Sequence, residues 1–169
     1  MNVPRIVVLN GPAGVGKTTV GRRLAARSAN GVCIVGDSLR EFVVTRDDRR
    51  PKGLASQAAA ALIEVYARSG FELIVFDFVF EGREHLRPFR AALSPALDFT
   101  VVTLWADREV IESRKALRSR GDEHATGQVG HRYELMRANL SDLGAIVSAA
   151  ESVPDIVSAI ENHLMVRRP

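Results

Sequence analysis

The segment Gly11–Thr18, with the sequence GPAGVGKT, constrains the fold of this chain more than any other feature. It matches the pattern G-x-x-x-x-G-K-[ST] at every fixed position. An apolar run, Arg5–Asn10, precedes it and predicts a buried strand, and helical apolar spacing begins at Lys17 and continues to Ala29. A strand, a glycine-rich loop and a helix in this order present backbone N–H groups and a helix N-terminus to an anion. The segment therefore predicts a phosphate-binding loop.

This loop predicts that the chain binds ATP together with Mg²⁺. In such loops the lysine, here Lys17, reaches the β- and γ-phosphates, and the hydroxyl group, here Thr18, contacts Mg²⁺. The expected nucleotide-binding residues are Gly11, Pro12, Ala13, Gly14, Val15, Gly16, Lys17, Thr18 and Thr19. Lys17 is also expected to act in catalysis, because it contacts the phosphate that is transferred.

Four further short apolar runs alternate with helical patterns along the rest of the chain. The predicted strands are Val32–Val35, Glu72–Asp77, Phe99–Trp105 and Ala145–Ser148. The predicted helices are Ser38–Val44 with Ser38 as cap, Leu54–Arg68, Glu84–Leu93, Arg108–Ser119, Val129–Leu140 and Pro154–Met165 with Ser152 as cap. Strands that are apolar on both faces and alternate with helices indicate a parallel sheet covered by helices on both sides. With 169 residues, the chain is expected to form one domain over 1–169.

Two aspartates follow predicted buried strands, where this residue type is disfavoured. Asp77 comes after four apolar residues, a pattern typical of a carboxylate that orients Mg²⁺. Asp37 follows the second strand, and we expect it to accept the proton of a substrate hydroxyl. The alternative for each is a turn or a helix cap. The carboxyl ends of parallel strands lie at the ligand-binding edge of the sheet, which favours the catalytic interpretation.

Arg114 and Arg118 are four residues apart on a predicted helix and therefore share one face. They are followed by a polar, glycine-containing stretch, Gly121–Gly130, which predicts a flexible connection. We expect a lid around 114–130 whose arginines neutralise charge on the transferred phosphoryl group. The alternative is a solvated basic face.

Composition excludes several other classes of protein. The net charge of +3 lacks the dense basic, aromatic-studded stripe of a nucleic-acid-binding protein, so such a partner is not expected. The longest apolar stretch, Leu73–Phe80, is interrupted by Asp77 and is too short to span a bilayer. Cys33 is the only cysteine, which agrees with a reducing compartment, and it is expected to be a buried, unreactive residue. We expect a cytoplasmic protein without a cleaved leader.

Three segments, VVLNGPAGVGKTT, GDSLREF and LIVFDFVFEG, resemble the chloramphenicol phosphotransferase-like group of small kinases, which belongs with the adenylate and shikimate kinases. The likeness extends from Arg5 to about Gly121. It implies a P-loop NTPase fold with a five-stranded parallel sheet of order 2-3-1-4-5. It also implies that Asp37 is the base and that Arg114 and Arg118 belong to the lid side.

Two departures separate this chain from the antibiotic kinase it resembles. A short, charged segment, Thr45–Gly53, replaces a longer glycine- and methionine-bearing one, and Asp77-Phe78 replaces a pair of acids. The predicted reaction is therefore ATP-dependent phosphorylation of a hydroxyl on a small, antibiotic-like or sugar-like alcohol, without chloramphenicol as the expected acceptor. One alternative is a nucleoside or nucleotide kinase, in which arginines hold the acceptor phosphate; candidates are Arg40, Arg46, Arg49 and Arg50. Another is a non-catalytic nucleotide-binding regulatory module. Phe78 or Phe80 is expected to wall the acceptor site.

Overall fold

Five short strands form a single parallel sheet. They are β1 (Arg5–Asn10), β2 (Gly31–Val35), β3 (Leu73–Asp77), β4 (Thr100–Trp105) and β5 (Ala145–Ser148), in the order β2-β3-β1-β4-β5. This computed structural model describes residues 3–44, 53–118 and 126–166, and at 115–118 and 126–129 it describes the backbone alone. The predicted parallel α/β fold is confirmed, as is the strand order implied by the family resemblance.

Seven α-helices and one short 3-10 helix, Leu140–Asp142, connect and cover the strands in the described parts of the chain. The α-helices are α1 (Lys17–Ala25), α2 (Gly36–Glu41), α3 (Leu54–Arg68), α4 (Arg83–Ala92), α5 (Arg108–Arg118), α6 (Thr126–Ala138) and α7 (Val153–Val166). The sequence gives the same bounds as the structure for β1, β5 and α3. Ser152 caps α7 as predicted, because its hydroxyl accepts a hydrogen bond from the backbone N–H of Asp155 at 3.4 Å.

The core has two layers because successive side chains of a strand point to opposite faces of the sheet. On one face, Val7 and Leu9 of β1 belong to an apolar cluster with residues of α1 and α7. On the other face, Ile6 and Val8 belong to a cluster with residues of α3, α4 and α6. The side chains of Ile6, Val7, Val8 and Leu9 are all buried, so β1 is the central strand of both layers. This burial fixes the point at which the chain leaves the sheet and enters the Gly11–Thr18 loop.

The first helix is shorter than predicted: α1 ends at Ala25 instead of Ala29. The chain then turns back sharply, so that Gly31 lies against the end of α1. A Cβ atom at Gly31 would lie 2.0 Å from the carbonyl oxygen of Ala25, which only glycine avoids. This close approach between α1 and β2 ends the helix early, although the apolar pattern would allow it to continue.

Two other sequence predictions differ from the structure. Ser38 lies inside α2, which begins at Gly36, and it does not cap the helix. The connection predicted over Gly121–Gly130 is shorter, because α6 already begins at Thr126. Residues 121–125 of that connection, and 45–52 of the charged Thr45–Gly53 segment, lie outside the described residues.

Candidate active site

The carboxyl ends of three adjacent strands are level with one another. In the register of the sheet, Asp77 at the end of β3 pairs with Leu9 of β1 on one side and with Val35 of β2 on the other. The Gly11–Thr18 loop begins two residues after Leu9, and Asp37 lies two residues after Val35. The sheet therefore brings the phosphate-binding loop and both predicted aspartates to one edge, where ligands bind in this class of fold.

Three glycines give the loop its shape. Gly11, Gly14 and Gly16 have φ angles of 145°, 88° and 106°, a region that side-chain-bearing residues rarely adopt. At Gly11 a Cβ atom would also lie 2.6 Å from the carbonyl oxygen of Leu104, on the neighbouring strand β4. The loop can therefore curl tightly and pack against the sheet edge only with glycine at these positions. Of the other residues that the sequence predicts to bind the nucleotide, Pro12 and Val15 are buried, and Ala13 and Thr19 are exposed.

Lys17 is the first residue of α1 and is only 9% exposed. Its ammonium group donates a hydrogen bond to the carbonyl oxygen of Pro12 at 3.1 Å, which holds the side chain against its own loop. The first turn of α1 contains no acidic residue, so the helix N-terminus keeps its partial positive charge. The lysine and the helix terminus together form a positively charged, preorganised site for phosphate groups.

Thr18 and Asp77 are joined directly, which places the two predicted magnesium ligands together. The Thr18 hydroxyl donates a hydrogen bond to a carboxylate oxygen of Asp77 at 2.5 Å. Asp77 is only 4% exposed, and this burial raises the pKa of its carboxyl group above the ordinary value. The charge of Lys17 and the Thr18 hydrogen bond act against that rise in pKa, and the negative charge of Asp37 adds to it.

These two oxygen-bearing side chains fit a magnesium ion that arrives with ATP. Over the described ranges 3–44, 53–118 and 126–166, no three histidine, cysteine or acidic side chains gather into a self-contained metal site. Mg²⁺ is commonly bound by one or two protein oxygens together with substrate phosphates and water. Thr18 and Asp77 supply such a partial set of ligands, beside the loop that is shaped for phosphates.

A buried polar network behind the loop was not predicted from the sequence. Asn10 is fully buried, and its side-chain amide binds Phe80 at both ends: Nδ2 donates to the Phe80 carbonyl at 3.1 Å, and Oδ1 accepts from the Phe80 N–H at 2.8 Å. Its Nδ2 also donates to the Thr103 hydroxyl at 3.2 Å, which in turn donates to the Leu143 carbonyl. The network fixes the chain just after Asp77. The available signal was one polar residue, Asn10, at the end of an apolar strand run.

Asp37 lies in an environment opposite to that of Asp77. Its side chain is 78% exposed, and it pairs with Arg40 at 3.3 Å, three residues further along α2. The start of α2 has no capping hydrogen bond from a side chain, so the helix-cap alternative has no support. The Asp37 carboxylate thus lies near the Thr18–Asp77 pair, as its effect on the pKa of Asp77 indicates, and is open to an incoming molecule.

The Arg40 guanidinium lies 4.8 Å from the centroid of the Phe78 ring, over its face. Helix α2 approaches Phe78 closely because Gly36 has no side chain: a Cβ atom there would lie 2.2 Å from the ring. Phe78 stacks on Phe76, with centroids 5.4 Å apart. Of the two phenylalanines proposed from the sequence, Phe80 is buried in the core and Phe78 lies at the surface of a cleft.

That cleft, which we call the acceptor cleft, lies between α2 and α3 and has a volume of about 210 Å³. Its lining consists of Leu39, Arg40, Val43, Gly53, Leu54, Ala55, Ala58 and Phe78. Phe78 directly follows Asp77 in the chain, and Arg40 pairs with Asp37. The cleft therefore adjoins the residues Asp37 and Asp77 at the edge of the sheet.

The structure describes the side chain of only one of the two arginines predicted for the lid. The guanidinium of Arg114 donates hydrogen bonds to the carbonyl oxygens of Ala149 at 2.6 Å and Ala150 at 3.4 Å, in the loop after β5. The side chain of Arg118 lies outside the described residues, as do residues 119–125 of the predicted lid. The lid around 114–130 and the catalytic role of both arginines therefore stay predictions.

Helix α6, which follows the predicted lid, is tied to the segment after β3 by contacts that were not predicted. Arg132 pairs with Glu81 at 3.0 Å, and the side-chain amide of Asn139 donates to the Glu81 carbonyl at 3.2 Å. The segment Asp77–Glu81 is thus held by Asn10 on one side and by α6 on the other.

Comparison with known proteins agrees with this geometry. A family model described as an AAA domain (AAA_33) matches residues 6–143, from the first strand to the turn before β5. The chain belongs to this AAA domain family. No curated protein sequence matches the chain.

Three solved structures of similar fold match this AAA domain protein over nearly its whole length. A sugar kinase from Janibacter sp. HTCC2649 is 18% identical with a TM-score of 0.66, over 97% of this chain and 96% of that chain. The tunicamycin resistance protein of Deinococcus radiodurans is 15% identical with a TM-score of 0.70, over 95% and 96%. Shikimate kinase from Bacteroides thetaiotaomicron is 16% identical with a TM-score of 0.66, over 95% and 98%. At these identities the likeness establishes the fold.

Across the ranges 3–44, 53–118 and 126–166, no helix is both long enough and apolar enough to cross a bilayer.

Proposed function

We propose that this AAA domain protein is an ATP-dependent phosphotransferase that transfers the γ-phosphate of ATP to a hydroxyl group of a small molecule. One juxtaposition carries the proposal. Asp77 is hydrogen-bonded to Thr18 of the phosphate-binding loop, and the next residue, Phe78, walls a cleft whose Arg40 pairs with the exposed Asp37. A nucleotide and an acceptor would thus meet at one edge of the sheet.

The nucleotide would bind through the loop and the residues that support it. Backbone N–H groups of the loop and the ammonium group of Lys17 would hold the phosphates, and the Thr18 hydroxyl and the Asp77 carboxylate would hold Mg²⁺. The ion, when bound with ATP, would neutralise charge on the phosphate oxygens. Lys17 would stabilise the negative charge that develops on the leaving group during transfer. This interaction would be strong because the site is largely shielded from water.

Asp37 is proposed as the base on the acceptor side. The acceptor oxygen would form a bond to the γ-phosphorus while the bond from phosphorus to the β–γ bridging oxygen breaks, and ADP would leave with that electron pair. The hydroxyl proton would move to the Asp37 carboxylate. An exposed aspartate paired with one surface arginine is available for this task, because surface ion pairs are weak enough to rearrange when substrate binds.

Arg114 and Arg118 are proposed to act from the lid side. Arg114 is held by the carbonyls of Ala149 and Ala150, which keeps its guanidinium at the carboxyl edge of the sheet, near the ends of the other strands. A lid over this edge would exclude water from the transferred phosphoryl group, which otherwise could be lost to hydrolysis.

Within the kinases, we propose a relation to the chloramphenicol phosphotransferase-like group in reaction type but with a different acceptor. The departure at Asp77-Phe78 supports this view. Phe78 lines the acceptor cleft, so an aromatic side chain faces the position where the antibiotic kinase has an acid. The proposed partners are one small hydroxyl compound and MgATP, in the cytoplasm; neither nucleic acid nor membrane is part of the proposal.

A nucleotide kinase is the second candidate, favoured by the presence of Arg40 in the acceptor cleft. Arg40 is paired with Asp37, however, and a cleft of about 210 Å³ is small for a whole nucleotide. The cleft thus favours a smaller acceptor than a nucleoside phosphate.

The test is a phosphoryl-transfer screen with labelled ATP and separate panels of simple alcohols, sugars, nucleosides and nucleoside monophosphates. The proposal predicts a labelled organic phosphate from at least one non-nucleotide alcohol, formed in equal amount to ADP. Transfer to nucleoside monophosphates alone would support the nucleotide kinase. Tight MgATP binding without transfer to any panel would indicate a regulatory module and contradict the proposal.

A further inference from the structure

The side chain of Asn10, at the end of β1, continues the pairing of β1 with the chain after β3. The regular ladder between the two strands ends where the N–H of Phe78 donates to the carbonyl of Leu9 at 3.2 Å. Two residues later, Asn10 Nδ2 donates to the Phe80 carbonyl at 3.1 Å, and Oδ1 accepts from the Phe80 N–H at 2.8 Å. Both hydrogen-bonding groups of the Phe80 backbone are therefore bound to the end of β1.

The hydroxyl group of Thr103 fixes the orientation of that amide. It accepts a hydrogen bond from Asn10 Nδ2 at 3.2 Å and donates one to the carbonyl of Leu143 at 2.6 Å. An amide turned end for end would direct its NH₂ group at the Phe80 N–H and its oxygen at the Phe80 carbonyl, so only one orientation is satisfied. We call these four residues, Asn10, Phe80, Thr103 and Leu143, the Asn10 clamp.

Packing of the sheet alone would favour an apolar residue at the position of Asn10. The four residues before it in β1 are buried and apolar, and asparagine is disfavoured in strands. Asn10 and Thr103 are both fully buried, where each unpaired polar group would be costly. A buried network whose members are satisfied makes the segments that it joins rigid. The Asn10 clamp joins β1, the chain after β3, β4 and the turn before β5.

The Asn10 clamp lies where the two halves of the predicted magnesium site meet. Asn10 directly precedes Gly11, the first residue of the phosphate-binding loop, and Phe80 lies three residues after Asp77. Asp77 is hydrogen-bonded to Thr18 at 2.5 Å. A shift of the chain after β3 relative to β1 would move the Asp77 carboxylate away from the Thr18 hydroxyl. The clamp therefore controls the separation of the two oxygens that would hold one ion.

We propose that Asn10, supported by Thr103, is a positioning residue for magnesium: it keeps the Asp77 carboxylate at the distance from the Thr18 hydroxyl that binding of one Mg²⁺ requires. Its action on the ion is indirect, through the backbone of Phe80. The proposal rests on the MgATP binding that forms part of the function proposed above, but not on transfer to an acceptor. Binding of the nucleotide can therefore test it separately from catalysis.

The test uses a matched pair of substitutions at Thr103. Thr103→Val keeps the shape of the side chain but removes the hydroxyl group, so Asn10 Nδ2 and the Leu143 carbonyl each lose a partner. Thr103→Ser keeps the hydroxyl group and removes a methyl group. Ile160→Val, in the fully buried cluster on the opposite face of the sheet, is the control for a general loss of stability. Thermal unfolding verifies that each variant is folded at the temperature of the assay.

Isothermal titration with a non-hydrolysable ATP analogue, once with Mg²⁺ and once with EDTA, measures the factor by which Mg²⁺ strengthens binding. Thr103→Val should lower this factor by about tenfold, the lower end of the range for residues that orient a metal ligand. Its affinity in EDTA should be unchanged, because the phosphate-binding loop and Lys17 are intact. Thr103→Ser and Ile160→Val should keep the wild-type factor.

A purely structural role of the clamp predicts a different result. Thr103→Val would then unfold at a lower temperature but would keep the wild-type factor, and that outcome would overturn the proposal. A loss of affinity of equal size with Mg²⁺ and with EDTA would also overturn it, since the clamp would then support the loop as a whole. So would a wild-type protein that binds the analogue equally well under both conditions.

Amide hydrogen exchange, followed by NMR, tests the clamp itself. Thr103→Val should accelerate exchange of the Phe80 N–H, which Asn10 Oδ1 binds, by about tenfold, since the amide loses the partner that orients it. Exchange at Val75, which lies in the middle of β3, should be unchanged. Equal acceleration at both positions would indicate a general loss of stability and contradict a local clamp.

The positioning role and the kinase function can fail separately. The predicted loss of the Mg²⁺ factor in Thr103→Val, in a protein that transfers phosphate to no acceptor, would support the positioning role and contradict the kinase function. Phosphoryl transfer with the same dependence on Mg²⁺ concentration in Thr103→Val as in the wild-type protein would overturn the positioning role and leave the kinase function intact.

Discussion

The two aspartates at the edge of the sheet lie in regions of opposite character. Asp77 belongs to the phosphate site, which we define as Gly11–Thr18 with Asp77: it is buried and hydrogen-bonded to Thr18. Asp37 belongs to the acceptor side, on a six-residue helix, with most of its side chain in solvent. The phosphate site is thus formed in advance by the fold, and the acceptor side is open. This difference is expected of an enzyme that uses a common phosphate donor and a specific acceptor, and it can be tested by substitutions on each side.

The largest effect is expected for Lys17→Ala. Loss of the ammonium group would remove a charge-assisted contact to the transferring phosphate, at a cost of about 3–4 kcal/mol, or roughly 10²–10³-fold in turnover. The fold should persist, since the hydrogen bond from Lys17 to Pro12 lies within the loop itself. Turnover is measured with saturating acceptor, and circular dichroism verifies the fold. Near-wild-type turnover would contradict the assignment of Lys17 and its loop to phosphate binding.

The next effect is expected for Asp37→Asn. Asparagine keeps the size of the side chain but cannot accept the hydroxyl proton, so transfer should fall by about a hundredfold or more. Affinity for MgATP should stay nearly constant, because Asp37 lies on the acceptor side. The measurement is transfer at saturating acceptor, together with titration of an ATP analogue. If most activity remains, the base must be sought at Asp77 and Asp37 becomes a structural residue.

A smaller loss of activity is expected for Asp77→Asn, together with a gain in the stability of the folded protein. Affinity for Mg²⁺ should fall by about 10–100-fold, because a ligating or ligand-orienting carboxylate is lost. The nucleotide-free variant should be more stable than the wild-type protein at neutral pH, since burial disfavours the charged carboxylate.

The pH dependence of that difference in stability follows from the raised pKa of Asp77. The folded protein retains the proton at pH values where the unfolded chain has released it. The free energy of unfolding of the wild-type protein therefore falls as pH rises from the ordinary pKa to the raised one. The stability advantage of Asp77→Asn should be absent in acid and should grow as the pH rises from the ordinary pKa toward the raised one. Thermal unfolding across this range, without nucleotide, checks it; an advantage that grows in acid would contradict the raised pKa.

The smallest effect on function is expected at Cys33. Burial, with the charge of Asp77, raises the pKa of this thiol to about 12, so it stays protonated at neutral pH and reacts slowly. Cys33 is only partly buried, packed against the apolar cluster of α1 and α7, so the predicted full burial is not met, and its lack of reactivity stays a prediction. Treatment of the folded protein with iodoacetamide should leave turnover unchanged, and mass spectrometry should find Cys33 unmodified until denaturant is added. Rapid modification with loss of activity would show that β2 is more open than described.

The sequence predicted the phosphate site well because its parts are local. The pattern at Gly11–Thr18 occupies eight consecutive residues, and Asp77 was recognisable from the apolar run before it. The bounds of β1, α3 and β5 followed from periodicity and from turn residues, which also act over short distances. The early end of α1 did not follow, because it depends on the close approach of Gly31 to Ala25 in the folded chain.

The acceptor side and the network at Asn10 could be predicted only in part. Asn10 binds the backbone of Phe80, seventy positions further along the chain, and no local pattern specifies such a contact. The placement of Arg40 over Phe78 likewise depends on Gly36, which lets α2 approach the ring. Sequence reasoning identified Phe78 and Phe80 as candidates, but their burial in the folded chain was needed to choose Phe78.

The most direct test of the division into a phosphate site and an open acceptor side is a comparison of MgATP affinity among the wild-type protein, Lys17→Ala and Asp37→Asn. Isothermal titration with a non-hydrolysable ATP analogue and Mg²⁺, in the absence of acceptor, provides the three dissociation constants under the same conditions. The account predicts much weaker binding to Lys17→Ala and unchanged binding to Asp37→Asn. Equal weakening in both variants, or weakening in Asp37→Asn alone, would contradict it.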